Sequence, residues 1–407
     1  MKKAVSSSIA FAGSTSTRNA GNGAWGRVIL VSAILLSLVS CNAFQSYIGR
    51  EVGEQPAKLT SFEAQRELDR LWSVKVGDGQ GEFYNQLHPA IDREFIYAAS
   101  ANGTVVAVNR ESGDTQWRNR TDENITGAVG AGSGLVMFGT RDAEVFALDQ
   151  FTGNILWQAP VSSEVLSAPQ TNGNVVVLQT VDGKLIALDA GNGTQRWTYE
   201  TNNPALTLRG ASDPVIVNDT VIAGFANGLI VAVDADNGFL QWEERVAVPQ
   251  GRYDIDRVID IDGQLMVSGT NVFATSYQGN LMGFDIQTGR IVWGTEASSF
   301  KGLAQGFGNL YYVSDESELI ALRNNSEEVV WQNDQLRLRQ LTAPKTTGNY
   351  VVVADFEGYV HLISQIDGRF AARTRVDGDG VRAELLADGN SIYVYGNSGR
   401  LTAYAIR

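Results

Sequence analysis

A motif of about 40 residues recurs through most of this chain and constrains its fold more than any other feature. In its clearest copy, Gly183 is followed by Ala187-Leu188-Asp189, and then by Gly193 and Trp197. Other copies share this frame, some of them with substitutions: Gly103/Asn109/Gly113/Trp117, Ala143/Asp149/Gly153/Trp157, Gly228/Asp234/Gly238/Trp242, Gly279/Asp285/Gly289/Trp293, Ser317/Arg323/Glu327/Trp331 and Gly358/Ser364/Gly368/Ala372. Self-similarity at this period indicates an architecture built from repeated units.

Turn signals divide each repeat into four short strands. In the copy that ends at Trp197, these signals are Asn172-Gly173, Asp182-Gly183 and Asn192-Gly193. Asn-Gly and Asp-Gly supply the positive φ angles that two-residue hairpin turns need. Four antiparallel strands in about 40 residues are typical of one β-propeller blade. We expect the aspartate of each repeat to accept N–H bonds in its turn, and the tryptophan to pack against the next blade.

The number of blades follows from the two ends of the chain. Tryptophans stand at positions 72, 117, 157, 197, 242, 293 and 331, and Ala372 takes the same place in the next repeat. Gly399–Arg407 supplies a third strand without a fourth, whereas Leu71–Val76 supplies a fourth strand alone. Joining them removes an exposed sheet edge. The sequence therefore predicts an all-β, eight-bladed β-propeller with four-stranded antiparallel blades, the last blade closed by the N-terminal strand. A short helix is predicted just before that strand, over Ser61–Leu71.

The N-terminus has the pattern of an export signal. Val28–Ser40 is an apolar stretch after a basic segment, and it is short for a membrane span. Leu38-Val39-Ser40-Cys41 resembles a bacterial lipobox, which implies lipidation of Cys41; an ordinary signal peptide followed by an incidental cysteine is the alternative. We predict a lipoprotein signal peptide over residues 1–40, a lipidated tether over 41–60 and the propeller over 61–407. Asn42 in place of aspartate implies sorting to the outer membrane, with the protein on its periplasmic face.

Charge and residue counts argue against several functions. The net charge is −13, and the acidic surface that it predicts repels phosphate backbones, so we expect no nucleic acid partner. Cys41 is the only cysteine, and His88 and His361 are the only histidines, far apart in the sequence. Neither a zinc site nor a Ser-His-Asp arrangement is recognisable. We predict no catalytic residues, no metal and no cofactor.

Two insertions between repeats are the candidates for function. The shortest steps between successive tryptophans are 38 to 40 residues, but Trp197 to Trp242 spans 45 and Trp242 to Trp293 spans 51. Insertions in a repeat array map to loops, often on the binding face. The inserted segments are Thr201–Gly210 and Pro249–Asp262.

The repeat itself is similar to that of quinoprotein dehydrogenases, which are eight-bladed propellers. Asp149-Gln-Phe-Thr-Gly-Asn-Ile-Leu-Trp157 matches the tryptophan-docking motif of that family almost fully. Those enzymes use an adjacent cysteine pair over the quinone and hold Ca²⁺ with side-chain oxygens, neither of which this sequence offers. A quinoprotein-like, pyrroloquinoline quinone-dependent dehydrogenase, or a propeller that binds another ligand, is the alternative function.

A more specific resemblance covers essentially the whole chain after the signal peptide. The lipobox, the eight repeats and the segments Phe83–Ala90, Pro204–Gly210 and Ile255–Asp262 resemble the BamB family, lipoproteins of the bacterial outer-membrane β-barrel assembly (BAM) machinery. In that family the second and third segments dock on the POTRA domains of BamA. The resemblance implies contacts through Leu206, Leu208 and Arg209 in one loop and Asp260 and Asp262 in the other. The chain departs from the family pattern at Gly263-Gln264-Leu265.

The residues agree with this interpretation in kind. Leu206 and Leu208 alternate, as do Asp260 and Asp262, so each pair shares a direction in an extended loop; burial of the leucines between blades and simple solvation of the aspartates is the alternative. We predict a non-enzymatic periplasmic scaffold that assists outer-membrane protein insertion. Its expected partners are BamA, other BAM subunits, unfolded outer-membrane proteins and, through the lipid, the outer membrane.

Overall fold

The structure, a computed structural model, describes residues 54–83, 85–208 and 210–407. The predicted signal peptide and Cys41 lie outside this range, as does most of the predicted tether. Residues 56–407 form one compact unit. No helix in the described part of the chain is long and apolar enough to cross a membrane.

Eight four-stranded antiparallel sheets make up this unit. Blade 1 contains β2 to β5: Ala90–Asp92, Phe95–Ala99, Thr104–Asn109 and Thr115–Arg120. Blade 2 contains β6 to β9: Gly130–Gly132, Leu135–Gly139, Glu144–Asp149 and Ile155–Pro160. Blade 3 contains β10 to β13: Gln170–Thr171, Val175–Thr180, Lys184–Asp189 and Gln195–Glu200. Blade 4 contains β14 to β17: Val215–Val217, Thr220–Gly224, Leu229–Asp234 and Leu240–Arg245.

The second half of the chain continues in the same way. Blade 5 contains β18 to β21: Met266–Ser268, Asn271–Thr275, Asn280–Asp285 and Ile291–Glu296. Blade 6 contains β22 to β25: Ala304–Gly306, Asn309–Val313, Leu319–Arg323 and Val329–Asn333. Blade 7 contains β26 to β29: Lys345–Thr347, Tyr350–Ala354, Tyr359–Ser364 and Phe370–Arg375. Blade 8 contains β30 to β32 (Leu386–Asp388, Ser391–Tyr395 and Arg400–Ile406) together with β1 (Leu68–Lys75). A single short 3-10 helix, Asp254–Arg257, stands between blades 4 and 5 in the described chain.

Closure of the ring occurs where the sequence predicted it. β1 pairs antiparallel with β32, from Leu68 opposite Ile406 to Lys75 opposite Arg400. The N-terminal strand thereby supplies the outer strand of blade 8, and the two ends of the repeat array complete one sheet. The all-β, eight-bladed prediction is confirmed.

The burial of each strand follows its place in the blade. The second and third strands are buried on both faces because neighbouring blades cover them, and they are accordingly continuous apolar runs such as Val175–Leu178. The outer strand faces solvent, so in β13 only Trp197 is buried.

Tryptophans join successive blades. The ring of Trp197 lies against Gly238 of the next blade, where an added Cβ would come within 2.7 Å of the indole, and Trp197 donates its indole N–H to the Ala235 carbonyl at 2.8 Å. Gly238 has φ of +74°, as expected for the left-handed position. Equivalent indole bonds are made by Trp72, Trp117, Trp157, Trp242 and Trp331. Trp293 differs, since the next repeat has Glu327 in place of the glycine, and its ring is only partly buried.

The segment before β1 contains no helix, so the prediction of a helix over Ser61–Leu71 is wrong. Residues 56–67, which we call the N-terminal segment, lie across blades 6 and 7. The Phe62 ring stacks on Phe370 with centroids 5.3 Å apart, and Gln65 donates its backbone N–H to the Ala371 carbonyl at 2.8 Å. The N-terminal segment therefore makes backbone hydrogen bonds to the propeller in place of the internal hydrogen bonds of a helix. The end of the predicted tether is also docked, because Ala57 donates to the Arg337 carbonyl at 2.9 Å.

Candidate functional site

Two long connections stand on one face of the propeller. The first long loop, residues 201–214, joins β13 to β14, and the second long loop, residues 246–265, joins β17 to β18. Each leads from the outer strand of one blade to the inner strand of the next, so antiparallel topology places both on the same face. These loops contain all five predicted contact residues.

The leucines of the first long loop occupy different surroundings. The loop bends at Ala205 and Leu206, and Leu206 is 44% exposed at the edge of an open groove of about 880 Å³. Leu208 is half-buried and lines two other cavities. The side chains of Leu206 and Leu208 therefore point in different directions, whereas in an extended loop they would point the same way. Arg209 lies outside the described residues.

Asp260 links the two loops. Its side chain is 0% exposed, and its Oδ2 accepts the backbone N–H of Leu208. Within the described chain, its Oδ1 has no hydrogen-bond partner. Burial raises the pKa of Asp260 to about 7, and the bond from Leu208 opposes this rise. The carboxylate predicted to face a partner instead holds the first long loop against the second.

Asp262 lies closer to the surface. It is partly exposed, and its carboxyl sits against Gly210, where an added Cβ would come within 2.5 Å of the Asp262 Cγ. Burial raises the pKa of Asp262 well above its usual range; nearby Asp260 raises it further, while Lys301 lowers it. Asp260 and Asp262 alternate in the sequence, but their side chains differ in access to solvent. Segments 52 residues apart in the chain thus meet at Leu208–Asp260 and at Gly210–Asp262.

Sequence reasoning identified the second inserted segment but missed its most exposed apolar side chains. Tyr253, just before the 3-10 helix, is 71% exposed, and Ile255 within that helix is also exposed, as is Val248 immediately before the inserted segment. Four residues of the same segment line the groove that Leu206 borders: Pro249, Asp254, Arg257 and Ile259. Exposed apolar side chains grouped beside a groove are typical of a protein interaction surface. The insertion length was the only signal in the sequence that could have indicated them.

A polar cluster lies beneath the loops, where strands of several blades converge. His88 Nε2 lies 2.9 Å from Asp213 Oδ2, and Gln264 Nε2 donates to the same oxygen at 2.9 Å. Lys345 pairs with Glu384 at 2.8 Å. Burial lowers the pKa of His88, but the charge and hydrogen bond of Asp213 outweigh it, and the net shift is upward. Gln264, where the chain departs from the family pattern, therefore has a structural partner.

The other histidine is also held by its neighbours. His361 Nε2 lies 3.0 Å from Asp355 Oδ2, while its Nδ1 accepts from Arg373 Nε at 3.0 Å. This arrangement leaves the ring neutral, and burial lowers its pKa. Among the described residues, no group of three or more His, Cys, Asp or Glu side chains could hold a metal ion.

Comparison with known proteins identifies the family. Residues 101–333 match the family model described as outer membrane protein assembly factor BamB. The chain is 54% identical over 375 residues to the outer membrane protein assembly factor BamB of Pseudomonas aeruginosa, covering 92% of this chain and 97% of that protein.

Solved structures agree with the sequence comparison. The crystal structure of BamB from Moraxella catarrhalis superimposes with a TM-score of 0.76 at 30% identity, covering 83% of this chain and 100% of that one. Quinohemoprotein alcohol dehydrogenase from Comamonas testosteroni has a TM-score of 0.68 at 13% identity, covering 83% and 76% of the two chains, and this likeness shows the fold alone. The eight-bladed ring, the matched repeats and the identity to curated relatives along nearly the whole chain establish that this protein belongs to the BamB family of outer membrane protein assembly factors.

Proposed function

We propose that the chain is an outer membrane protein assembly factor that acts as a non-enzymatic scaffold and docks on the POTRA domains of BamA. The names of its relatives support the assembly role. In this proposal, lipid on Cys41 anchors the protein to the outer membrane on the periplasmic face. Other BAM subunits and unfolded outer-membrane proteins are further proposed partners.

The observation that carries the docking assignment is the convergence of the two long loops. The bond from the Leu208 N–H to Asp260 fixes the first loop on the second, and groups the exposed Leu206 with the exposed side chains around Tyr253. Apolar anchors held on a fixed backbone lose little conformational freedom when a partner binds, which favours affinity.

The five predicted residues take two roles in this proposal. Leu206, Leu208, Arg209 and Asp262 contact the partner. Asp260, which has no exposed surface, is a positioning residue that acts through the backbone of Leu208.

The test is co-purification of BamA with a variant that combines Leu208→Ala and Arg209→Glu. We expect binding to be lost while the thermal unfolding temperature stays close to that of the wild type. The matched control combines Leu240→Ala and Arg290→Glu, which makes the same changes at exposed positions away from the long loops and should retain BamA. Undiminished recovery of BamA with the first variant would remove the docking assignment.

A further inference from the structure

A second cavity, of about 510 Å³, opens beside the long loops. Six separate parts of the chain contribute to its wall: Gln86 before β2, Leu208 from the first long loop, Asp262 from the second, Tyr277 after β19, Phe300 before β22, and Asp315 after β23. We call it the aromatic cavity. It adjoins the proposed docking residues, since Leu208 and Asp262 belong to both.

Two aromatic rings form one wall of the aromatic cavity. Tyr277 and Phe300 meet edge to face, with centroids 6.2 Å apart and planes at 68°. The side chain of Lys301 places its Nζ 4.9 Å from the centroid of Phe300, so this ring already accepts a cation from its own chain. Aromatic faces attract cations through the negative charge of the π system, and the attraction grows when water is excluded.

Carboxylates line the same cavity as these rings. Asp262 and Asp315 both line the cavity, and Asp315 Oδ2 accepts one hydrogen bond, from Ser298 Oγ at 2.7 Å. A third acid on the wall, Glu316, is paired with Arg337 at 2.9 Å. Lys301 offsets part of the charge of Asp262, which leaves Asp315 as the carboxylate most available to a bound cation.

We propose that the aromatic cavity receives one arginine side chain of the docking partner. A guanidinium can stack on an aromatic ring while its N–H groups donate to carboxylates, and it loses less hydration on burial than the ammonium of lysine. A cation in the cavity also stabilises the ionised form of Asp262, whose carboxyl is desolvated in the free protein. The inference rests on the docking function proposed above, and adds the chemistry by which the partner is recognised.

Substitutions at Tyr277 test the aromatic requirement. Affinity for a purified POTRA-domain fragment of BamA is measured by isothermal titration with the wild type, Tyr277→Leu and Tyr277→Phe. We expect Tyr277→Leu to weaken binding by about three- to thirty-fold, the range of a cation–π contact, and Tyr277→Phe to restore it because the ring is kept. Asp262→Asn should also weaken binding, whereas Asp236→Asn, which removes the same charge from an exposed turn after β16, should not.

A double-mutant cycle identifies the partner side chain. Each surface arginine of the POTRA fragment is replaced by glutamine, and one replacement should weaken binding to Tyr277→Leu clearly less than it weakens binding to the wild type, because only the carboxylate contacts of the arginine remain in that variant. Equal binding by the wild type and Tyr277→Leu, or absence of any coupled arginine, would overturn the cavity assignment and leave docking in place. Failure of the fragment to bind the wild type would overturn both proposals.

Discussion

Replacing Asp260 by asparagine should change how stability depends on pH. The carboxyl of Asp260 is fully buried, accepts the Leu208 N–H, and has a pKa of about 7 against an ordinary value of 3.8. Between those two values the folded protein holds a proton that the unfolded chain has released. Its free energy of unfolding therefore falls as pH rises through this window, and the loss is complete above pH 7.

The size of the effect follows from the two pKa values. Linkage with these values gives a loss of about 2 to 3 kcal/mol between pH 5 and pH 8 from this one carboxyl. Asparagine has nearly the same shape, its carbonyl can accept the Leu208 N–H, and it does not titrate. Removing Asp260 also takes away one of the causes that raise the pKa of Asp262, which flattens the dependence further.

Urea unfolding at pH 5 and pH 8 measures the difference. The wild type should lose about 2 to 3 kcal/mol more than Asp260→Asn between the two conditions. Asp285→Asn is the matched control: hydrogen bonds from Thr288 lower the pKa of Asp285, so the stability that it contributes is present above its ordinary pKa and is lost only in more acidic solution. This control should keep the wild-type difference between pH 5 and pH 8. Identical pH dependence in the wild type and Asp260→Asn would refute the burial argument.

Two further predictions concern the contacts between blades, both measured as free energies of urea unfolding. Trp197→Ala should lower the free energy of unfolding by about 3 to 5 kcal/mol, because a buried ring and its indole hydrogen bond are lost. Trp293→Ala should lower it clearly less, because that ring is only partly buried. Equal losses of stability would contradict the docking role of the tryptophans. Gly193→Ala places a Cβ 2.7 Å from the Trp157 ring at φ of +75°, whereas the Cβ of Gly134→Ala, at φ of +86°, meets nothing within 4 Å. Gly134→Ala should therefore lower the free energy of unfolding only by the strain of the left-handed backbone, about 1 to 2 kcal/mol, and Gly193→Ala should lower it by more.

The repeat allowed the fold to be predicted because its signals are local. Turn residues such as Asn192-Gly193 fix where each strand ends, and the tryptophan four residues later meets the next blade at the same place each time. The exception at Trp293 could also be read from the sequence, since Glu327 replaces the glycine that receives the ring elsewhere. The N-terminal segment was predicted wrongly, because helical spacing of apolar residues was outweighed by stacking of Phe62 on Phe370.

The candidate site was only partly predictable. Insertion lengths indicated the two long loops, and the resemblance to the BamB family supplied Leu206, Leu208, Arg209, Asp260 and Asp262. No pattern in the sequence indicated that Tyr277 and Phe300 would share a cavity with Asp262, since they come from different connections of the chain.

The number of strands, the number of blades and the closure of the ring could all be predicted from the order of residues, because each depends on signals that lie within one repeat or in the first and last strands of the repeat array. The different environments of Asp260 and Asp262, by contrast, arise only in the folded protein. Alternation treats the two residues as equivalent, but Asp260 is enclosed beneath the first long loop and accepts the N–H of Leu208, whereas Asp262 reaches the aromatic cavity. Burial depends on which loop of a distant repeat folds over a side chain, and the spacing of residues within either loop does not reveal that contact.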